Sequence, residues 1–323
     1  MKNILQIKNL KLSFNTDNGI LKALNGINLT IQEGDILGLI GESGSGKTVV
    51  ALSIMGLISI PPAQINDGQI IFKGKDLLSL KKKEMTNLRG NEISIIFQEP
   101  FSSLDPVFRI GDQIAEAIKL HQNVNKFEAR EKAIEMLRKI NIQDPVRVAE
   151  SLPYELSGGM QQRAMIAIAM SSPNLSLLIA DEPTSSLDVT VQKSILNLIK
   201  GLKENKSVNS CLFITHDFNV IAEVCTKVAV IYAGNIVETC PMESIFTNCK
   251  HPYTKALLKA VPKVSGNQAE LESIKGFFPD LVKPPLGCYF HPRCLDRKYI
   301  CQKEIPKMIK IDEGHYVACH LFN

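Results

Sequence analysis

The sequence has no apolar run of the length that a membrane-spanning helix requires, about 18 residues or more. It also lacks a strong imbalance of charge, since a formal net charge of +4 is too small to indicate nucleic-acid binding. The first residues, Met1–Gln6, alternate like a β-strand and do not resemble a secretory signal. We therefore expect a cytosolic chain without a membrane anchor, whose eight cysteines are reduced thiols or metal ligands.

What the sequence does contain is an alternation of short apolar segments and helical segments, which predicts a parallel sheet covered by helices. Four continuously apolar segments predict the buried strands, at 36–40, 94–97, 177–180 and 211–214. Polar or glycine-rich residues follow each of them, and ligands bind at those ends of parallel strands. Segments 4–14, 23–31 and 69–72 predict a small antiparallel sheet beside the main one.

Two regions depart from this alternation. Residues from about 107–172 have helical periodicity, and we interpret them as a helical insertion between two core strands. From residue 251 onward prolines recur and four cysteines cluster, which predicts a separate C-terminal extension. The predicted domains are residues 1–250, with the helical insertion, and residues 251–323.

A glycine-rich segment follows the first buried strand and precedes a helical segment. It matches the P-loop pattern G-x-x-x-x-G-K-[ST] and consists of Gly41, Glu42, Ser43, Gly44, Ser45, Gly46, Lys47 and Thr48. Glycines let the backbone N–H groups of such a loop point at phosphate oxygens, and the helix N-terminus adds partial positive charge. Lys47 would contact the β- and γ-phosphates, and the Thr48 hydroxyl would bind Mg²⁺. The segment predicts a nucleoside-triphosphate site.

Two acidic residues follow the apolar strand at 177–180. A carboxylate at the end of a buried strand is costly to ionise unless it meets a cation. Asp181 is therefore predicted to hold Mg²⁺ through water, and Glu182 to orient or deprotonate the attacking water. Alone, such carboxylates also begin ordinary loops; in a chain with a P-loop they predict ATP hydrolysis.

With these segments in place, Leu156–Gln161 resembles the signature segment of the ABC ATPases. The resemblance implies an α/β fold: a P-loop NTPase (RecA-like) core with a small antiparallel β subdomain, a helical insertion and a cysteine-containing C-terminal extension. It also implies two cassettes that enclose ATP, with Ser157, Gly158 and Gly159 contacting the nucleotide of the other cassette. Met160 departs from the glutamine common in the family, but this phosphate contact does not need that side chain.

Four further residues take their roles from the same resemblance. Gln98 matches the glutamine that reaches the metal and the attacking water, and His216 matches the histidine that contacts the γ-phosphate. Asp188 matches an aspartate that crosses the dimer interface, and Phe14 lies where the family stacks an aromatic ring on adenine. Near Asp188, Ser186 replaces a common alanine. The implied catalytic residues are Glu182, His216 and Gln98, and the implied Mg²⁺ ligands are Thr48, Gln98 and Asp181.

Segments 250–258, 287–294 and Leu104–Pro106 resemble the oligopeptide and dipeptide permease ATPases. This resemblance implies ATP-driven import of di- or oligopeptides from the cytoplasmic face of the cell (inner) membrane, where the chain would be peripheral. The implied partners are a second, homologous ATPase subunit, two integral-membrane permease subunits and an extracytoplasmic peptide-binding protein, with no nucleic acid.

Three alternative functions remain open. The first is an importer of another solute, such as nickel or a sugar. The second is a soluble ABC ATPase acting on nucleic acid or the ribosome, which is disfavoured because the sequence shows one P-loop and no long heptad insertion. The third is a non-catalytic regulatory cassette, which is disfavoured because Glu182 and His216 are both present.

The cysteines of the tail predict a metal site. Five, six and seventeen residues separate Cys288, Cys294, Cys301 and Cys319. Zinc modules usually carry a tighter cysteine pair, whereas four thiolates can hold a [4Fe–4S] cluster, and some relatives of the resembled branch carry one in this tail. We predict a [4Fe–4S] cluster, with zinc or no metal as the alternatives. Other possible ligands, expected instead at the surface, are His291, His315 and His320.

Overall fold

The structure is a computed structural model that describes residues 2–185, 187–204, 209–260 and 274–322. The strands are β1 (Asn3–Thr16), β2 (Gly19–Gln32), β3 (Ile36–Ile40), β4 (Ala63–Phe72), β5 (Lys75–Asp76), β6 (Ile93–Ile96), β7 (Leu177–Asp181), β8 (Ser210–Thr215), β9 (Lys227–Tyr232), β10 (Asn235–Pro241), β11 (Met308–Asp312) and β12 (His315–Ala318). The helices are α1 (Lys47–Met55), α2 (Lys82–Leu88), α3 (Pro100–Ser103), α4 (Ile110–His121), α5 (Lys126–Lys139), α6 (Pro145–Glu150), α7 (Gly158–Ala169), α8 (Val189–Glu204), α9 (Phe218–Val224), α10 (Met242–Asn248) and α11 (Pro252–Lys259). They form two compact units, the first comprising Met1–Leu78 and Thr215–Asn323 and the second Ser79–Ile214.

The first unit contains the small antiparallel sheet, with strand order β2-β1-β4-β5. The tight turn between Thr16 and Gly19 joins β1 to β2, and β4 pairs with the other side of β1. Alternate residues of β1 and β2 are buried, as expected of a sheet that packs one face against a core. The predicted antiparallel sheet is therefore confirmed, with longer strands than the sequence pattern indicated.

The same unit contains a second set of strands in the order β11-β12-β10-β9-β3. All five residues of β3 are buried, which explains its unbroken apolar sequence. Strand β9 runs parallel to β3, β10 returns antiparallel to β9, and the β11–β12 hairpin adds antiparallel pairs at the edge of β10. The hairpin belongs to the tail, for which the sequence analysis gave no strands.

The second unit contains parallel strands β6, β7 and β8 and the helices of the predicted insertion. Helix α5 begins at a capping box, in which Asn125 accepts the backbone N–H of Glu128 and Glu128 accepts that of Asn125. Arg130 ties the insertion together, because its guanidinium pairs with both Asp112 and Glu150. These contacts join helices α4, α5 and α6, which precede the signature segment and helix α7.

The predicted α/β class is thus confirmed by the mixed strand arrangement. The boundary between residues 250 and 251 stays a prediction. In the described part of the chain, no helix combines the length and apolar character that crossing a membrane would require.

Candidate nucleotide site

The P-loop of the first unit connects the buried strand β3 to helix α1. The loop turns at Gly44 and Gly46, whose φ angles of 78° and 106° lie in the region that favours glycine. Gly41 is required for a different reason, because a Cβ there would lie 2.2 Å from the carbonyl oxygen of Ile231. The backbone of the loop therefore fits against β9 only with glycine at the start of the motif.

Lys47 is the first residue of α1 and is almost fully buried. Its Nζ donates hydrogen bonds to the carbonyl oxygens of Gly41 at 2.8 Å and Glu42 at 3.1 Å. These bonds hold the ammonium group inside the curve of the loop. The side chain of Thr48, next to it, is exposed.

Ser45 carries a buried hydroxyl at the centre of this loop. Among the described residues, its Oγ has no hydrogen-bond partner although the residue is 0% exposed. Its backbone is well held, with the carbonyl accepting the N–H of Gly234 at 2.9 Å. A buried polar group without a partner is costly, and a hydrogen-bonding ligand or water at the loop would remove that cost.

Two other residues of the predicted nucleotide site, Phe14 and His216, lie in the first unit. Phe14 is in β1, opposite Leu21 of β2 and Ala63 of β4, and its ring is only partly buried. Partial exposure suits a ring that stacks on a ligand better than a ring that fills the core. His216 directly follows β8 and is exposed.

The second unit brings together Asp181, Glu182 and Gln98 at the carboxyl ends of β7 and β6. Asp181 is 3% exposed, at the end of β7. Glu182 has a φ of 47°, an uncommon value that costs a non-glycine residue about 1–3 kcal/mol. Its N–H donates to the carbonyl of Ile214 at 2.9 Å, and its Oε2 accepts from Nε2 of Gln98 at 3.2 Å. The backbone thus presents the Glu182 carboxylate to Gln98.

The signature residues open helix α7 in the same unit. Ser157 occupies the N-cap position, yet its side chain makes no capping hydrogen bond and is exposed. The loop is held instead by Gln161, whose Nε2 donates to the carbonyls of Pro153 at 2.9 Å and Leu156 at 3.3 Å. Gly159 has no room for a Cβ, which would lie 2.7 Å from Cγ1 of Val191. An exposed serine hydroxyl and two glycine N–H groups therefore stand at a helix N-terminus.

Asp188 has a contact within its own chain that the resemblance did not indicate. Its Oδ1 accepts the N–H groups of Thr190 and Val191, both at 3.1 Å, and so caps helix α8. The residue is exposed. Ser186 lies outside the described residues.

The four cysteines of the tail influence one another. Burial, with smaller contributions from the nearby Cys301, Cys319 and Cys294, raises the pKa of Cys288 to about 12. The backbone N–H of Cys288 donates to the carbonyl of Cys301 at 2.8 Å. Across the described ranges, however, no three His, Cys, Asp or Glu side chains are arranged to hold a metal ion.

The three histidines named above as other possible metal ligands form hydrogen bonds with protein groups. His315 and His320 are 1% and 7% exposed, so the expectation that they lie at the surface is wrong. Nε2 of His315 lies 2.8 Å from Oε1 of the buried Glu238, and Nε2 of His320 lies 2.9 Å from the carbonyl oxygen of Glu304. Their partners satisfy the polar atoms, which is what makes burial of both rings possible. Half-buried His291 contacts the carbonyl of Cys288.

Two residues that contact the P-loop carry no recognisable signal in the sequence. Arg293, between two of the clustered cysteines, forms an ion pair with Glu42 at 3.0 Å. Tyr253 accepts the backbone N–H of Glu42 with its hydroxyl oxygen at 2.9 Å. Both lie more than two hundred residues from Glu42 along the chain, and no local pattern signals such a pairing.

Comparisons with known proteins identify the family to which the chain is similar. A family model described as ABC transporter matches residues 24–185, and one described as oligopeptide/dipeptide transporter, C-terminal region, matches residues 237–301. The chain is 46% identical to the probable peptide ABC transporter ATP-binding protein y4tR of Sinorhizobium fredii, covering 98% of this chain and 94% of the relative. It is 44% identical to the oligopeptide transport ATP-binding protein OppD of Bacillus subtilis, covering 99% and 89%.

A solved structure is similar over the cassette. The dimeric ATP-binding cassette MJ0796, in a post-hydrolysis state bound to ADP and phosphate, superposes with a TM-score of 0.66 at 27% identity, covering 74% of this chain and 98% of that one. The chain therefore belongs to the ABC transporter family, among the ATP-binding subunits whose C-terminal region is of the oligopeptide/dipeptide transporter type.

Proposed function

We propose that this chain binds and hydrolyses ATP to energise the import of di- or oligopeptides through a membrane ABC transporter. One observation carries the proposal: full-length relatives named as peptide-transport ATP-binding proteins share at least 42% of its residues, including the C-terminal region. Fold alone would not support the cargo, because one fold serves many functions. The C-terminal match is what favours peptides over nickel or a sugar.

The residue roles follow the chemistry of phosphoryl transfer. Gly41–Thr48 would bind the phosphates and Phe14 would stack on the adenine. Glu182 would act as general base, with Gln98 and His216 as the other catalytic residues. The proposed Mg²⁺ ligands are Thr48, Gln98 and Asp181. All three offer oxygen donors, which this hard cation prefers. The near-complete burial of Asp181 is consistent with a carboxylate that faces a cation.

The catalytic assembly would be a pair of cassettes. Ser157, Gly158, Gly159 and Asp188 would reach the nucleotide bound by the other cassette, and the exposure of Ser157, Gly158 and Asp188 in the single chain supports this role. The second cassette would be a homologous subunit, and two permease subunits and an extracytoplasmic peptide-binding protein would complete the transporter. The chain would then lie peripherally on the cytoplasmic face of the membrane.

We further propose that residues 251–323 form an extension of the cassette in which Cys288, Cys294, Cys301 and Cys319 hold a [4Fe–4S] cluster. The backbone hydrogen bond between Cys288 and Cys301 supports the grouping, as does the contribution of neighbouring cysteines to the raised pKa of Cys288 and Cys294. A cluster separates its thiolates more widely than a single ion does, which makes it a better candidate than zinc for thiols that do not converge on one point. When bound, it would add folding free energy to a segment with few apolar residues.

Reconstitution tests the transport function. The chain is co-expressed with candidate permease subunits and a homologous ATPase subunit from the same organism, and the complex is placed in vesicles with ATP inside and a peptide-loaded binding protein outside. We expect uptake of labelled peptide that requires ATP and stops in the Glu182→Gln variant. Uptake of nickel or a sugar instead of peptide would contradict the cargo, whereas failure of the chain to purify with any membrane subunit would contradict the transport function.

A further inference from the structure

Glu42, the second residue of the P-loop, is held from two sides by the C-terminal part of the chain. The hydroxyl oxygen of Tyr253 accepts its backbone N–H at 2.9 Å. Nη1 of Arg293 donates to both carboxylate oxygens, at 3.0 Å and 3.1 Å. Glu42 also accepts a bond from Nζ of Lys47 through its carbonyl oxygen at 3.1 Å. The same residue thus contacts both the phosphate-binding lysine and the C-terminal region.

Arg293 is fixed by its other hydrogen bonds. Its Nε donates to the carbonyl of Lys275 at 3.2 Å and its Nη2 to the carbonyl of Ile274 at 3.4 Å, while Nη1 also contacts the Tyr232 hydroxyl at 3.3 Å. The side chain is 5% exposed, against 27% for that of Glu42. A charge this deeply buried persists because it is paired and hydrogen-bonded. The guanidinium therefore has a single, well-defined position beside the P-loop.

Three aromatic rings pack against one another beside the Arg293 guanidinium. The centroids of Tyr232 and Tyr253 lie 4.5 Å apart, and the ring of Phe290 lies 5.2 Å from Tyr232 and 5.3 Å from Tyr253. Tyr232 ends β9, whereas Tyr253 is in α11 and Phe290 is three residues before Arg293. Phe290 of the tail thus packs directly against Tyr253, which contacts the P-loop at Glu42.

The electrostatic consequence concerns the nucleotide. A carboxylate in a loop that binds phosphates would repel them if it were not neutralised, because like charges a few ångströms apart interact strongly in a partly desolvated site. Arg293 provides the neutralising charge and keeps the carboxylate in one ion pair. We infer that Arg293 is a positioning residue for nucleotide binding, which acts through Glu42 and makes the C-terminal region part of the ATP site.

The inference is tested by a double-mutant cycle on the full-length chain, with ATP affinity measured by titration of a fluorescent ATP analogue. We expect Arg293→Met to raise the Kd by on the order of tenfold, because it leaves an unpaired carboxylate beside the phosphates. Adding Glu42→Gln should restore most of that loss, since it removes the repelling charge. The KM for ATP should rise in parallel while kcat changes less than about twofold, because Arg293 contacts no reacting atom. Arg297→Met, at an exposed arginine of the same segment, is the matched control.

Two outcomes would overturn the inference. One is an unchanged Kd in folded Arg293→Met. The other is a loss of affinity that Glu42→Gln does not relieve, which would mean that Arg293 only holds the segment at Ile274 and Lys275. If Arg293→Met does not fold, Arg293→Gln takes its place, because its amide can still donate to those carbonyls but carries no charge. The result is independent of the cargo, so it can fail while peptide transport stands.

Discussion

The side-chain amide of Gln98 donates a hydrogen bond to the carboxylate of Glu182 over 3.2 Å, joining the ends of two parallel strands. The two residues are 84 positions apart in sequence. Gln98 therefore orients the carboxylate that we propose as the base. A substitution at either residue should reduce the rate of hydrolysis more than the affinity for nucleotide.

Replacing Glu182 by Gln should leave ATP binding intact and reduce turnover by roughly 10²–10⁴-fold, because an amide cannot accept the proton of the attacking water. The amide oxygen can still accept the bond from Gln98, so the local structure should survive. Phosphate release and nucleotide titration measure the two properties. Glu131→Gln, at an exposed carboxylate of α5, is the control. Hydrolysis near the wild-type rate would show that Glu182 is not the base.

Replacing Lys47 by Ala should abolish ATP binding, because it removes the buried ammonium group around which the loop folds. Titration with ATP measures the effect, and circular dichroism checks that the protein is folded. Lys75→Ala removes an exposed lysine from β5 of the same unit and should bind ATP like the wild type. An affinity that barely changes in Lys47→Ala would refute the site.

Ser157 and Asn125 both occupy N-cap positions, but only Asn125 makes the capping bond. Ser157→Ala should therefore keep the wild-type unfolding midpoint while ATP-dependent pairing and hydrolysis fall roughly tenfold or more, through loss of one hydrogen bond to a charged phosphate. Asn125→Ala should do the opposite and lower stability by about 1 kcal/mol without affecting pairing. Thermal unfolding and size-exclusion chromatography with ATP distinguish the two. Normal hydrolysis in Ser157→Ala would contradict the proposed trans contact.

His251 should make stability depend on pH. Burial lowers its pKa to about 3, and its Nδ1 accepts the N–H of Tyr253 at 3.0 Å. The unfolded chain protonates this ring below about pH 6.5 and the folded chain does not, so stability is complete above that pH and is lost as the pH falls toward 3. At about pH 5 the loss is about 2 kcal/mol.

The variant His251→Asn isolates this effect, because an asparagine oxygen can accept the same N–H but does not titrate in this range. Denaturant unfolding of both proteins between about pH 5 and 7.5 should show a smaller loss of stability on acidification in the variant. Equal pH slopes for the two proteins would mean that another group causes the dependence.

Purification without oxygen should give about four irons and four sulfides per chain, if the tail holds the proposed cluster. Cys294→Ser should lose most of this content, whereas Cys249→Ser, at a half-buried thiol elsewhere in the chain, should keep it. Iron, sulfide and zinc analysis decides between the alternatives. Stoichiometric zinc without sulfide would favour a zinc site, and a metal-free soluble protein would contradict both.

The strands and the P-loop could be predicted from the sequence because their signals are local. Buried parallel strands are unbroken apolar runs, and β3 and β7 begin at the predicted residues. The pairing of Glu42 with Arg293 could not be predicted, because 251 positions separate two residues that both favour exposed positions. Burial of His315 was missed for a related reason: a polar side chain becomes acceptable inside only when a distant partner, here Glu238, is placed against it.

The pairing of β12 with β10 has a consequence for biosynthesis. During translation β10 emerges long before the strand that completes its edge, so a ribosome-bound intermediate presents unpaired amide and carbonyl groups along that edge. Premature termination just after α11 would make this exposure permanent. Such a fragment should be a preferred target for chaperones and proteases even though it contains the whole P-loop sequence.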